Sequence, residues 1–278
     1  MSSANALRAA MTGPVANSAA AAAAAGPPMC LAPLAQPLAG PAVDAAFAVT
    51  KLRDGTGPTV LFANGFLSEG ETGWGNFKPL IDSKFPQSPV CRVNWGAQQQ
   101  LDFGSWLKAS GQVVKGMLTG KAGASVSSLK DSLEGNPWTI AKQHAEQAGK
   151  QLADQIRALD PGTSVVLVGH SLGARLMSYA GLTLGASGAA GRLQEVHLTG
   201  AAISRDHDWG ALNKAVSAMV NNYYSGHDPV LLALYGAAEP APAVGPVGFD
   251  AHQPRISDHD YTAKVNGHSD YFSAVKLV

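Results

Sequence analysis

The sequence predicts an α/β fold, with a mostly parallel central sheet and helices on both of its faces. Two patterns carry this prediction. Short apolar runs rich in β-branched residues end in turn signals, as buried strands do, and they alternate with longer segments of helical spacing. Of the 278 residues, 46% are hydrophobic and 14% are charged, which is enough apolar material for one large domain.

Residues 1–42 differ from the rest of the chain because they are rich in alanine and proline, nearly uncharged and without periodicity. This composition predicts a disordered leader ahead of a folded domain at residues 43–278. A weak export signal is the alternative, although Arg8 is the only early cation. We therefore favour a cytoplasmic location and keep export open. No run of about 18 strongly apolar residues is present, so no transmembrane helix is expected.

The strand candidates are short, apolar and bounded by Gly, Asn, Asp or Pro. In chain order they are residues 43–52, 58–65, 88–96, 163–171, 193–203, 218–226 and 255–262. Helices are predicted between them and after the last one. The clearest helix begins at Asn136-Pro137, a side-chain cap followed by proline at the first helical position, and it ends before Asp160. The other helices are predicted at residues 74–85, 172–184 and 209–216 and at the C-terminus.

A serine lies between two glycines in Gly169-His170-Ser171-Leu172-Gly173. The five letters are weak evidence in a chain with 31 glycines, so the context decides. A nucleophile elbow requires a strand, a sharp turn and then a helix, and residues 165–184 have this order. Ser187 lies in a similar pattern, but no strand precedes it. The context therefore predicts that Ser171 is a nucleophile, with a structural turn as the alternative.

Serine requires a histidine base that is held by an acid, and in this fold class the chain order is Ser, Asp or Glu, then His. Asp228 follows the strand candidate at 218–226, and His268 follows the last strand. The other seven histidines, His170 included, fit surface or packed positions better. Two alternatives stay open for the acid: Asp228 could be a capping residue before Pro229, and Asp206 or Asp208 could orient His268 instead.

An oxyanion hole needs two N–H donors. The backbone N–H of Leu172, directly after the nucleophile, is the first candidate. The second comes from the loop after the strand at 58–65, where Gly65 allows the backbone to turn and present the N–H of Phe66.

Four motifs now resemble a known family: NGFLSEG, GHSLGAR, NNYYSGHDPVLLALY and GHSDY, which together span residues 59–272. They are similar to an α/β-hydrolase family of lipase-like proteins that includes the eukaryotic transmembrane and coiled-coil domain proteins. The resemblance implies an α/β-hydrolase fold and a lipase or esterase with Ser171, Asp228 and His268 as its triad. Eukaryotic members carry membrane-embedding hydrophobic segments that are not found in this sequence, so membrane residence is not carried over.

The expected activity is that of a serine carboxylester hydrolase acting on an acyl or lipid ester. A secreted or injected phospholipase toxin, which would need an immunity protein as partner, is one alternative, and a catalytically inactive scaffold is another. Apolar residues in the segment at 96–134 recur at helical spacing. A helix packed on the sheet explains them, and a helical lid is the alternative.

No cofactor or metal is expected, because the sequence has no phosphate loop and no cluster with metal-ligand spacing. The 20 basic and 20 acidic residues balance and form no basic stripe, which argues against nucleic-acid binding. Cys30 and Cys91 lack the spacing of a zinc site. They could form one bridge, although two unrelated thiols are the simpler expectation.

Overall fold

The computed structural model describes residues 47–97 apart from 67, 69 and 70, residues 137–249 apart from 237, 238 and 240, and residues 252–278. The leader predicted at residues 1–42 lies outside the described residues, and so does almost all of the segment at 96–134. The lid hypothesis therefore stays a prediction.

Seven strands form one sheet in the described part of the chain. They are β1 (Ala48–Arg53), β2 (Thr59–Ala63), β3 (Val90–Asn94), β4 (Val165–His170), β5 (Glu195–Thr199), β6 (Val220–Tyr224) and β7 (Ile256–Asp260). The strands β2, β4 and β5 are buried at every position. This burial explains the nearly continuous apolar runs of β2 and β4, whereas β5 alternates the polar Glu195, His197 and Thr199 with apolar residues. The polar β7 is only partly buried, as suits a strand at the edge.

The strand order is β1-β3-β2-β4-β5-β6-β7, and every neighbouring pair is parallel except β1 with β3. The chain leaves β2 toward one edge of the sheet, returns to β4 on the other side of β2, and then continues toward the other edge. The strand order therefore reverses between β2 and β4. In open α/β sheets the crevice at the carboxyl ends of such strands is where ligands bind.

The described helices are α1 (Phe77–Asp82), α2 (Pro137–Ala158), α3 (Leu172–Ala186), α4 (Trp209–Ala215), α5 (Val244–Val247) and α6 (Tyr271–Ala274), and a π-helical turn covers Leu231–Tyr235. The α3 helix packs between α2 and α4 over one face of the sheet, while α1 and α6 meet over the other face. The predicted fold class is confirmed: this is an α/β-hydrolase fold, with a mostly parallel sheet between two helical layers.

Two expectations need correction. The strand predicted at 193–203 is only Glu195–Thr199, because the next apolar residues, Ala201, Ala202 and Ile203, are buried in a loop at the carboxyl end of the sheet. The expectation of an unpaired thiol is wrong for Cys91, which is buried in β3 and is disulfide-bonded. The other cysteine of the chain, Cys30, lies outside the described residues.

No helix that the structure describes combines the length and the apolar character needed to cross a membrane.

Candidate active site

Ser171 connects β4 to α3 through a sharp turn. Its φ of 57° and ψ of −123° make it the one non-glycine residue with a positive φ among the described residues. Such a conformation is costly for a residue with a side chain, and it persists where the surrounding structure enforces it. This is the geometry of a nucleophile elbow, which projects the serine hydroxyl from the turn.

The two glycines of the motif are required by close packing and not by their own backbone angles. A Cβ on Gly169 would lie 2.6 Å from Ala174 Cα, and one on Gly173 would lie 2.1 Å from Ala63 O, both far inside the contact limit. The spacing Gly-x-Ser-x-Gly therefore lets the start of α3 approach both β4 and the end of β2.

The elbow is fixed by backbone hydrogen bonds to β5 and the loop after it. Ser171 N donates to Thr199 O at 3.1 Å, and Ser171 O accepts from Ala202 N at 3.2 Å. A Cβ on Gly65 would lie 2.7 Å from Ser171 Cβ, so the loop after β2 runs against the serine side chain. The loop after β2 and the chain around the end of β5 therefore both contact Ser171.

The structure brings His268 and Asp228 together. His268 Nδ1 donates to Asp228 Oδ2 at 2.7 Å, and the Asp228 side chain is fully buried. A carboxylate at Nδ1 keeps the proton on that nitrogen, which leaves Nε2 unprotonated and able to act as a base.

Asp228 makes the contacts that both of its interpretations expect. Its Oδ1 accepts the backbone N–H groups of Val230 and Leu231, each at 3.1 Å, as a capping residue does, while Oδ2 accepts from His268. The cap therefore holds the carboxylate still and points its second oxygen toward the imidazole.

The loop that carries His268 is held by an acid that the sequence analysis did not single out. Asp270 Oδ2 accepts from Gly267 N at 2.7 Å and from Asn266 N at 3.1 Å. The aspartate lies within the motif GHSDY, and its position two residues after the histidine was the signal that could have found it.

Ser171 and His268 line one cavity of about 250 Å³. Phe66 also lines it, so three of the five predicted site residues share this space. The remaining described side chains around it are Asn64, Ser68, Glu71, Asn76, Trp138, His170, Val230, Ser269 and Phe272. Asp228 stands behind His268, and Leu172 is fully buried at the first position of α3.

The two residues that are expected to supply the oxyanion donors lie near Ser171, one in the chain and one in the loop after β2. Leu172 begins α3, and the first N–H groups of a helix have no acceptor within that helix. Phe66 directly follows Gly65, the residue whose backbone contacts Ser171. Its ring meets the edge of Trp138 with a centroid distance of 5.6 Å.

Arg92, a residue that the sequence analysis did not single out, holds the loop after β2 through hydrogen bonds to its backbone. The Arg92 side chain is only 3% exposed, and it donates to Gly73 O at 3.1 Å and to Ser68 O at 3.4 Å. Trp95 Nε1 donates to Asn64 O at 3.1 Å. An arginine inside an otherwise apolar strand was the available signal, because a buried cation needs partners.

His170 was expected to be an ordinary packed histidine. It is buried, but its ring centroid also lies 4.7 Å from that of His268 and 4.7 Å from that of Phe272. Its Nδ1 donates to Thr199 O at 3.1 Å, and a carbonyl only accepts, so the proton is on Nδ1. His170 therefore forms a fixed wall beside His268. Sequence gave no direct signal for this tertiary contact.

Burial, together with repulsion from a charged His268, holds the pKa of His170 well below its ordinary value of 6.5, although the Thr199 carbonyl opposes the shift. Burial also lowers the pKa of His197, which lies inside β5 and is hydrogen-bonded to Glu195 and Tyr223. Both imidazoles are thus neutral in the folded chain at neutral pH.

The lowered pKa values of His170 and His197 make the stability of the fold depend on pH. Unfolding restores the ordinary pKa of both histidines, so below about pH 6.5 the unfolded chain binds more protons than the folded one. We expect the free energy of unfolding to be highest above that pH and to fall as the pH drops below it. Each histidine contributes up to roughly 1.4 kcal/mol per pH unit. Urea denaturation between pH 7 and 5 measures the slope, and a flat profile would contradict the buried neutral state.

The alternative acids are far less suited to the role. Asp206 and Asp208 are exposed in the loop before α4, and neither lines the cavity of Ser171. Among the described residues, no group of three or more His, Cys, Asp or Glu side chains could hold a metal ion.

A family model described as "Protein of unknown function (DUF726)" matches residues 117–278. The rice transmembrane and coiled-coil domain-containing protein STS1 is 32% identical over 145 residues, which are 51% of this chain and 22% of the rice protein. The yeast protein named "Probable lipase MIL1" is 32% identical over 139 residues, 49% of this chain and 13% of its own length. The chain thus spans less than a quarter of the length of these relatives.

Among solved structures, the chain is similar to the α/β-hydrolase domain-containing protein 10 from mouse. The sequence identity is 13%, the TM-score is 0.40, and the superposition covers 81% of this chain and 90% of the mouse chain. The family match extends over more than half of the sequence and contains Ser171, Asp228 and His268. The chain belongs to the DUF726 family.

Proposed function

We propose that this chain is a serine carboxylester hydrolase of the lipase or esterase type, which acts on an acyl or lipid ester. The observation that carries the proposal is the 2.7 Å bond from His268 Nδ1 to Asp228 Oδ2 beside a cavity that both His268 and Ser171 line. A strained serine, an imidazole oriented by a hydrogen bond and a buried carboxylate are together the parts of a nucleophilic triad.

In the first half of the proposed reaction, His268 Nε2 takes the proton of Ser171 Oγ while that oxygen attacks the ester carbonyl carbon. The carbonyl oxygen becomes negative, and the N–H groups of Leu172 and Phe66 stabilise it. The bond to the alcohol oxygen then breaks, and His268 returns the proton to the departing alcohol. Asp228 stabilises the transient imidazolium and keeps its proton on Nδ1.

In the second half, water replaces the alcohol. His268 Nε2 takes a proton from the water as its oxygen attacks the acyl carbon on Ser171. The acyl–oxygen bond to serine breaks, the proton returns to Ser171 Oγ, and the carboxylic acid leaves. The reaction consumes one ester and one water and needs no bound cofactor.

The cavity lining includes apolar residues suited to an acyl chain. Phe66, Trp138, Val230 and Phe272 contribute apolar surface to its lining. Leu232, in the π-helical turn next to Val230, is 52% exposed. Burial of an apolar chain against such surface is favourable by roughly 25 cal/mol per Å² of area removed from water.

Catalytic activity separates one alternative from this proposal, and the substrate and partner separate the other. A scaffold without catalysis would have no use for a strained serine that shares a cavity with an oriented histidine. A phospholipase toxin would use the same chemistry on a narrower class of lipid, so it differs in substrate and partner but not in mechanism. The yeast relative is named a probable lipase, which supports ester hydrolysis.

The test is turnover of p-nitrophenyl butyrate in the presence of methanol. We expect release of p-nitrophenol together with both butyric acid and methyl butyrate, because an acyl-enzyme partitions between water and an added alcohol. The same mixture without protein is the control. Absence of p-nitrophenol release above that control would contradict the proposal.

A further inference from the structure

The lining of the Ser171 cavity includes polar residues as well as the apolar ones described above. The polar residues are Asn64, Ser68, Glu71, Asn76 and Ser269, beside the two histidines and Ser171 itself. Glu71 is the one carboxylate among the described residues that line the cavity. None of the proposed catalytic steps uses it.

One oxygen of Glu71 is anchored. Oε2 accepts from Asn64 Nδ2 at 2.6 Å and from Arg92 Nη2 at 3.2 Å. Arg92 is buried and fixed by its bonds to Ser68 O and Gly73 O, so the carboxylate has a defined orientation.

The other oxygen is open. Oε1 accepts no hydrogen bond from the residues that the structure describes, and the Glu71 side chain is 48% exposed. An anchored carboxylate with an open oxygen at a cavity wall is a ready acceptor for a donor on a bound molecule.

We propose that Glu71 Oε1 binds a hydroxyl group on the alcohol part of the substrate, so the chain prefers esters of polyols, such as monoacylglycerols or acylated sugars. The inference rests on the proposed ester hydrolysis. In this proposal the acyl chain contacts the apolar residues of the lining, and the alcohol part contacts Glu71. A hydroxyl fits better than an ammonium group, because Arg92 already balances the charge of Glu71.

The substitution Glu71→Gln tests the role of the open oxygen, Oε1. Both anchoring groups are donors, so the amide oxygen must take the place of Oε2, and the NH₂ group then stands where Oε1 stood. The substitution keeps the shape and the anchor and changes the open position from an acceptor to a donor. Glu146→Gln, on α2 and outside the cavity lining, is the matched control.

The measurement is the ratio of kcat/KM for glycerol 1-monobutyrate to kcat/KM for propyl butyrate, which has the same acyl group and carbon chain without the two hydroxyls. We expect wild type and Glu146→Gln to favour the glycerol ester equally. In Glu71→Gln the ratio should fall about tenfold or more, equivalent to about 1.4 kcal/mol.

An unchanged ratio in Glu71→Gln would overturn the inference. So would a loss confined to butyrylcholine relative to its neutral isostere 3,3-dimethylbutyl butyrate, because that result assigns Glu71 to a cation. If wild type hydrolyses none of the four esters, ester hydrolysis fails as the function. The hydroxyl site is then tested by calorimetric binding of glycerol 1-monobutyrate and propyl butyrate to the intact chain. If wild type and Glu71→Gln bind the glycerol ester with equal affinity, the inference is overturned.

Discussion

Ser171→Ala is expected to lower kcat for p-nitrophenyl butyrate by about 10⁴-fold or more while the protein stays folded. The substitution removes one hydroxyl oxygen from a residue that is 3% exposed, and it leaves the backbone bonds of Ser171 to Thr199 and Ala202 in place. Without the hydroxyl no acyl-enzyme forms. Steady-state kinetics give the loss, and a thermal melt confirms that the variant is folded.

Ser187→Ala is the matched control for this variant. Ser187 directly follows α3 as its C-cap residue, and its Oγ donates to Leu184 O at 2.9 Å. It belongs to the other glycine-rich serine segment of the sequence. We expect its turnover to stay near that of wild type. If Ser171→Ala keeps full turnover, Ser171 is not the nucleophile.

Asp228→Asn is expected to lower kcat by at least about a thousandfold with little change in KM. The amide oxygen can still accept from the N–H groups of Val230 and Leu231, so the cap survives. The NH₂ group then faces His268 in place of Oδ2. A donor at this position requires an unprotonated Nδ1, which moves the proton to Nε2 and removes the base that Ser171 needs.

Asp206→Asn and Asp208→Asn are the controls, because both side chains are exposed in the loop before α4. We expect each to stay within roughly tenfold of wild-type kcat. If one of them loses kcat and Asp228→Asn does not, the acid that orients His268 lies after β5 and not after β6.

The fold was predictable because its signals are local. Buried strands such as β2 and β4 appear as nearly continuous apolar runs, and α2 shows its apolar stripe in the spacing from Trp138 to Ile156. The nucleophile candidate was accessible for the same reason, since strand, turn and helix are consecutive in the chain. Asp228 and His268 required a second rule, the order of triad residues in this fold class.

The contacts that support the site were not predictable, because they depend on which elements lie side by side, even though Arg92 and Asp270 each carried a signal in the sequence. His170 meets His268 across 98 residues of chain, and Arg92 reaches from β3 under the loop after β2. The end of β5 was misjudged for a related reason: Ala201 to Ile203 are buried by tertiary packing in a loop, so their apolar character resembles that of a strand. Burial by another element leaves no periodicity of its own in the sequence.

The most direct measurement of the central claim is the site of covalent labelling by a fluorophosphonate, read by intact mass and peptide mapping. Such a reagent reacts with an activated serine, because the attack requires the same base and oxyanion donors as ester cleavage. We predict one adduct per chain, located on Ser171, and its loss in both Ser171→Ala and Asp228→Asn. Absence of an adduct on the folded wild-type chain, or an adduct on a serine other than Ser171, would contradict the account.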